Sequence, residues 1–224
     1  MTTLTRILLN PARRKGRQYL SDPQDLHAAV RAAFPPDLDE SNGRILWRVD
    51  TRGHENILYI VGPEAPTPLN ITEEAGWDTR PPQLADYDRF LDKLMNGQRW
   101  MFELVANPTY SESRGQGKRG KVKAHVSPEQ QLQWLVGKSS RHGFTIREDA
   151  TSVVERSRLD FYRNYEAGPD NRNRVRIVTA RFRGILQITD VKVFRETMRN
   201  GIGRGRGYGC GLLTLASLES SESE

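Results

Sequence analysis

The sequence has a single cysteine, Cys210, so no disulfide can form within the chain. That economy fits a reducing compartment, and the expected location is cytoplasmic. No run approaches the ~18 apolar residues of a membrane-spanning helix, so no membrane partner is expected. Met1 to Asn10 is too short and too polar for a signal peptide. There is no His-Glu-x-x-His and no Cys-x-x-Cys, so neither a metal site nor any other cofactor is expected. The acidic pair in Asp86-Tyr87-Asp88 is read as capping or decorating a helix. What remains, 36% hydrophobic and 28% charged residues in 224, describes a folded globular chain rather than a disordered one.

The charge is unevenly placed. Residues 1–95 hold 12 Lys/Arg against 14 Asp/Glu, and residues 96–224 hold 22 against 14, so the second half builds the whole +6 balance. With a pI near 9.6, this is the electrostatic footprint of a protein that meets phosphate-bearing partners.

The hydrophobic pattern predicts an α+β chain. Thr3 to Asn10 reads as a strand stopped by Pro11 and followed by a basic loop with Arg13, Arg14, Lys15 and Arg17. Ser21 or Asp22 caps a helix with Pro23 at its first position; it carries Leu26, Val30, Ala33 and Phe34 and breaks at Pro35-Pro36. Strands are expected at Arg44–Asp50 and His54–Val61, then a short helical piece at Ile71–Ala75 and a strand near Trp77. A second round starts with a strand at Arg99–Asn107. A polar basic stretch at 111–123 follows, holding Arg114, Lys118, Arg119, Lys121 and Lys123. Then come a helix opened by Ser127-Pro128-Glu129, a long hairpin over 150–166 and 172–189, a helix at Asp190–Asn200 and a strand at Leu212–Leu218. The order strand–helix–strand–strand–helix–strand occurs twice, which gives two tandem ferredoxin-like (RRM-like) βαββαβ domains over 1–95 and 96–219, with 220–224 as a disordered tail.

Three features can carry chemistry. The run 201–211, Gly-Ile-Gly-Arg-Gly-Arg-Gly-Tyr-Gly-Cys-Gly, has six alternate glycines and lets backbone approach a phosphate closely; Gly203, Arg204 and Arg206 are its candidate ligands. It lacks the Gly-Lys-Ser/Thr of a P-loop, and a helix precedes it where a dinucleotide fingerprint has a strand. Its alternative is a flexible RGG linker, but Leu212-Leu213 tie it to a strand. The second feature is an arginine arm: Arg156, Arg158, Arg163, Arg172, Arg174, Arg176, Arg181 and Arg183. Strand parity sets Arg172, Arg174 and Arg176 on one face, with Val178, Ala180 and Phe182 continuing it toward the core. Such an arm suits the phosphates of a structured RNA; its alternative is a charge-protected sheet edge. The third is His27, on the first helix near the basic loop. RNA brings its own nucleophile, the 2′-OH, so a ribonuclease needs a proton acceptor, a proton donor and cations for the phosphorane. By residue type alone, a helical histidine such as His27 is more often structural or simply exposed.

The run GIGRGRGYGCGLLTL at 201–215 resembles the glycine-loop signature of the RAMP superfamily of CRISPR-associated proteins, and its closing GCGLL is similar to the CasE family of type I-E systems. LLNPARR at 8–14, FELVANPT at 102–109 and QLQWL at 131–135 also resemble segments of that family, so the likeness spans nearly the whole chain. The resemblance implies two ferredoxin-like domains and metal-independent cleavage of precursor CRISPR RNA at the 3′ base of the repeat hairpin. The product would be a 2′,3′-cyclic phosphate or 3′-phosphate, and the mature guide would stay bound within Cascade beside its other subunits. His27 matches the family's catalytic histidine in Tyr-x-x-His, whether as base or acid, but Gln24 stands where the tyrosine would be. Gln24 could orient a phosphate oxygen, or Tyr19 could approach from the loop; neither follows from the sequence. Arg206 matches the family's usual lysine in the glycine loop. The residues expected at RNA are Arg13, Arg14, Arg17, Gln24, Arg156, Arg158, Arg172, Arg174, Arg176, Gly203, Arg204 and Arg206. The alternatives are a non-catalytic RNA-binding subunit of a CRISPR ribonucleoprotein, which the missing tyrosine favours, and a general RNA chaperone with an RGG loop.

Overall fold

The computed structural model describes residues 1–113, 115, 120–163 and 173–218. Arg114, Lys118, Arg119, Arg172, the hairpin turn and the tail 220–224 lie outside the described residues. The first half runs β1 (Thr3–Leu9), α1 (Arg14–Ser21), α2 (Pro23–Ala32), β2 (Leu46–Arg52), β3 (Glu55–Gly62), α3 (Leu69–Ala75), β4 (Gln83–Asp86) and α4 (Tyr87–Leu91). Its antiparallel sheet has the order β2-β3-β1-β4. Alternation along β1 turns Ile7 and Leu9 onto Tyr19, Leu26, Val30 and Ile71 of the three helices, all buried.

The second half runs β5 (Arg99–Ala106), β6 (Thr109–Glu112), β7 (Lys121–Ala124), α5 (Pro128–Ser139), β8 (Phe144–Arg163), β9 (Asn173–Ile188), α6 (Val191–Asn200) and β10 (Leu213–Ala216). Its sheet has the order β10-β5-β9-β8, the same arrangement as the first. Both halves are therefore ferredoxin-like, as the sequence pattern predicts. Ser127 caps α5 in a reciprocal capping box with Gln130, and Asp190 caps α6 by accepting from the Lys192 and Val193 amides.

Three elements differ from the sequence reading. The basic loop is a helix, α1, because Gly16 can pass against the Asn10 carbonyl; a Cβ there would collide with that oxygen. The strand expected near Trp77 is β4, at Gln83–Asp86, and Trp77 keeps only an isolated bridge to Arg80. The polar stretch after β5 contains a hairpin, β6–β7, in which Tyr110 faces Lys123 and Glu112 faces Lys121. The long hairpin also begins earlier than expected. Thr151 folds its hydroxyl back to the Arg147 carbonyl (2.6 Å) at a register shift, and that bulge hides the alternation of Phe144–Ile146.

The halves share one core. Leu46, Val61 and Leu91 pack with Phe102, Leu104, Phe182 and Leu213. Arg48 crosses the junction at 1% exposure. It binds both carboxylate oxygens of Asp50 (2.8 and 2.7 Å), the carbonyls of Glu103 and Leu212 (3.0 Å each) and the Thr214 hydroxyl (2.9 Å). Arg181 reaches the same Asp50 at 2.8 Å and also pairs with Glu103. Burial pushes the Asp50 carboxyl up, but hydrogen bonds and charge from Arg48 and Arg181 outweigh it and hold the group below the ordinary carboxylate range. β2 is thus locked to β5 and β10, and this lock positions the glycine loop beside α2.

Candidate active site

α2 begins where Asp22 accepts the Gln24 amide (2.8 Å), with Pro23 pre-set at the first helical position. Leu26 and Val30 bury one stripe, which leaves Gln24 and His27 half-buried on the flank that meets the second half. There His27 lies against the glycine loop: a Cβ on Gly207 would stand 3.3 Å from the imidazole Cε1. A side chain at 207 would crowd the imidazole, whereas the other five glycines of the run, 201, 203, 205, 209 and 211, all have positive φ. The loop is ordered, not a linker. Its carbonyl at Gly207 accepts Trp47 Nε1 (3.1 Å), the Gly211 amide donates to the Val105 carbonyl (2.7 Å), and Arg204 bridges Asn107.

The sequence reading passed over Tyr208. Its ring centroid lies 5.5 Å from that of His27 and its hydroxyl donates to Gln24 Oε1 at 3.1 Å. Phe161 also packs on the ring, centroids 4.6 Å apart, and the Arg163 guanidinium sits 4.9 Å from the ring centroid. Strand parity explains Arg163. On β8 the odd residues Leu159 and Phe161 face inward onto Tyr208 and Cys210, and Arg163 continues that face. An aromatic at one x position of the Gly-x repeat was the signal available in the sequence; its partner at position 24 was not. Tyr19 takes no part. It is 7% exposed in the first-half core, with its hydroxyl toward Glu74.

The His27 imidazole is held below the ordinary histidine value. Burial contributes most, then the positive charges of Arg163 and Arg31, against a backbone hydrogen bond at Gly207 that works the other way. The ring is therefore neutral near pH 7 and free to take a proton. A cleft of about 630 Å³ between the halves, lined by Leu26, Trp47, Asp50, Leu159, Arg181 and Tyr208 among others, adjoins this group.

The other expected residues divide. Arg158, Arg174 and Arg176 are half-exposed and converge on Asp160, at 3.5, 2.6 and 3.5 Å, on the sheet face opposite Phe161. Buried Ala180 and Phe182 continue that face into the core, as parity predicts. Arg156 lies further down the strand and donates to the Val126 carbonyl (3.2 Å). Arg204 is exposed and Gly203 packs on Trp134. Arg206 is not brought to His27: it turns back to donate to the Asn200 carbonyl (2.7 Å), near Arg44 and His142. Arg13 binds Asp78 and the Glu73 carbonyl, and Arg17 binds the carbonyls of Pro11 and Ala12 (3.1 and 2.8 Å), so both brace the chain around α1. Arg14 is left exposed at the start of that helix. Among the described residues, no three His, Cys, Asp or Glu side chains gather as metal ligands would, and no helix is long and apolar enough to cross a membrane.

Two ferredoxin-like halves joined through a glycine loop, with a cationic strand arm, define a class of RNA-handling fold. The chain belongs to the CRISPR-associated protein family, whose model matches residues 3–217. It is 28% identical over 218 residues to the CRISPR-associated endoribonuclease Cse3 of Thermus thermophilus, covering 95% of this chain and 99% of the relative. It is 25% identical over 210 residues to the Cascade subunit CasE of Escherichia coli K12, covering 90% and 96%. A structure of Thermus thermophilus Cse3 bound to an RNA representing a pre-cleavage complex superposes with a TM-score of 0.75 at 26% identity, covering 96% of this chain and 98% of that one.

Proposed function

We propose that this chain is an endoribonuclease that processes precursor CRISPR RNA and remains with its product as part of Cascade, in the cytoplasm. The observation that carries the catalytic part is the seat of His27: a neutral imidazole set against Gly207 and Tyr208, with the Arg163 guanidinium 4.9 Å from the Tyr208 ring centroid. His27 acts as general base. It takes the proton of the 2′-OH at the scissile nucleotide as the 2′-oxygen attacks phosphorus. The P–O5′ bond breaks, the 5′-oxygen takes a proton from water, a 2′,3′-cyclic phosphate and a 5′-hydroxyl result, and the imidazolium returns its proton to solvent. Arg163 offsets the charge that builds on the phosphorane oxygens. Gln24 and Tyr208 act as a pair across the two halves and fix the imidazole's position. Arg158, Arg174 and Arg176, gathered by Asp160, grip the stem of the repeat hairpin below which the strand is cut, at its 3′ base. Residues 1–95 contribute the base and 96–219 the arm and loop, as two domains of one site.

The test of the nucleophile is a repeat RNA with a single 2′-deoxy residue at the scissile position, incubated in EDTA. It should bind as the all-ribose RNA does and stay uncut. Cleavage of the deoxy RNA would overturn 2′-OH attack. Tight binding of the all-ribose RNA without any cleavage would make the chain a non-catalytic RNA-binding subunit.

A further inference from the structure

The glycine loop has two faces. Gly207 touches His27 on one; on the other Gly203, at φ 83°, packs so closely on Trp134 that a Cβ would stand 3.1 Å from Cζ2. That second face closes a pocket of about 180 Å³ against α5 and the β6–β7 hairpin, lined by Tyr110, Val122, Trp134, Lys138, Gly203 and Arg204 among others. The volume is well below the roughly 300–1,000 Å³ that encloses a drug-sized ligand, and suits one planar ring system.

The lining is unusual for a surface turn. Tyr110 is 43% exposed and Val122 40%, and neither belongs to a hydrophobic cluster. Tyr110 is nevertheless braced from behind, its ring centroid 4.8 Å from that of His125. His125 is itself held, because the fully buried Gln131 donates to its carbonyl at 2.9 Å and its amide donates to the Pro108 carbonyl at 3.0 Å. The result is a fixed aromatic face turned to solvent. Two cations flank it, Lys138 at the end of α5 and Arg204 in the loop, and neither has a carboxylate partner among the described residues. Backbone pairing of Arg204 with Asn107 ties this rim to β5.

An exposed aromatic face with flanking unpaired cations is the chemistry that takes an unpaired base and its phosphate. We propose that this pocket binds one unpaired nucleobase of the RNA strand that crosses the glycine loop, within a few nucleotides of the cut. The base stacks on Tyr110, and Arg204 and Lys138 hold its phosphate. The proposal rests on the nuclease reading above, since it takes its ligand from the same RNA. It makes the loop a divider that sets the spacing between a held base and the scissile phosphate.

The test scans abasic residues one at a time through the unpaired nucleotides on both sides of the repeat hairpin. Equilibrium binding to wild type, Tyr110→Ala and Arg204→Gln is measured at fixed salt. One abasic position should weaken wild-type binding by about 5- to 150-fold, the usual worth of one stacked base, and that position should cost Tyr110→Ala nothing further. The bare hairpin should bind wild type and Tyr110→Ala equally, which also reports that the variant is folded. The proposal is overturned if no abasic position matters, or if the loss persists undiminished in both variants. Because binding is read, not cleavage, the outcome stands apart from the nuclease reading: uncut RNA with a Tyr110-dependent base contact would sink the latter alone.

Discussion

Replacing Arg48 by Met should be the most damaging single substitution away from the catalytic group. Arg48 is 1% exposed, and its five hydrogen bonds join Asp50 of β2 to the Glu103 and Leu212 carbonyls and the Thr214 hydroxyl. Methionine fills much of the volume but leaves Asp50 and two carbonyls buried without that partner. Breaking a buried ion pair from one side costs roughly 3–5 kcal/mol. Arg181, still 2.8 Å from Asp50, keeps the cost near the lower bound, about 3 kcal/mol. With a guanidinium slope of roughly 5 kcal/mol/M for a chain of this size, the unfolding midpoint should fall by about 0.6 M. Arg48→Met/Asp50→Leu removes the stranded carboxylate as well and should be more stable than Arg48→Met alone. The pH dependence follows the same logic. Asp50 is held below its unfolded value, so its stabilising contribution is present above the ordinary carboxylate range and lost as pH falls through the depressed pKa. Without Arg48 that pKa rises, and acid unfolding should set in at higher pH. Denaturant titrations of the three proteins between pH 3 and pH 7 decide the matter. An Arg48→Met midpoint equal to wild type, or a double variant no more stable than Arg48→Met alone, would refute the reasoning.

Other expectations concern the site. The acid limb of the single-turnover rate against pH should lie below the ordinary histidine value of 6.5, and Arg163→Gln should move it to higher pH, because one of the charges holding His27 neutral is gone. An unmoved limb would remove Arg163 from the site. Tyr208→Phe keeps the ring on His27 and loses only the hydrogen bond to Gln24, so the cleavage rate should fall by about 2- to 13-fold, the worth of roughly 0.5–1.5 kcal/mol. A far larger loss would make the hydroxyl a participant in the chemistry. Arg174→Ala/Arg176→Ala should weaken binding to the hairpin and flatten the slope of log K against log salt by about one for each phosphate no longer neutralised; an unchanged slope would leave these arginines serving Asp160 alone.

The architecture was legible in the sequence wherever one signal governed one element. A short apolar run stopped by Pro11 marked β1, alternation marked β5, Ser127-Pro128 with Gln130 marked α5, and Asp190 marked α6. It failed where a tertiary contact decided the conformation. α1 exists because Gly16 nests on Asn10, and β4 is a four-residue edge strand whose residues are all exposed, so no periodicity announces it. The site shows the same division. His27 and the glycine run carry local signals, but the Tyr208–Gln24 bond spans 184 residues, and the arginines at 13, 17 and 206 could not be seen to be committed to backbone carbonyls of the fold. Charge in a sequence reports that phosphate is a partner; it does not report which guanidinium is left free to meet it.

The most direct test of His27 as the catalytic base is cleavage of end-labelled repeat RNA by wild type and by His27→Ala, in EDTA and at enzyme excess. Wild type should cut at the base of the hairpin, and His27→Ala should cut about 100-fold more slowly or not at all, with binding retained. Cleavage by His27→Ala at the wild-type rate would contradict that role.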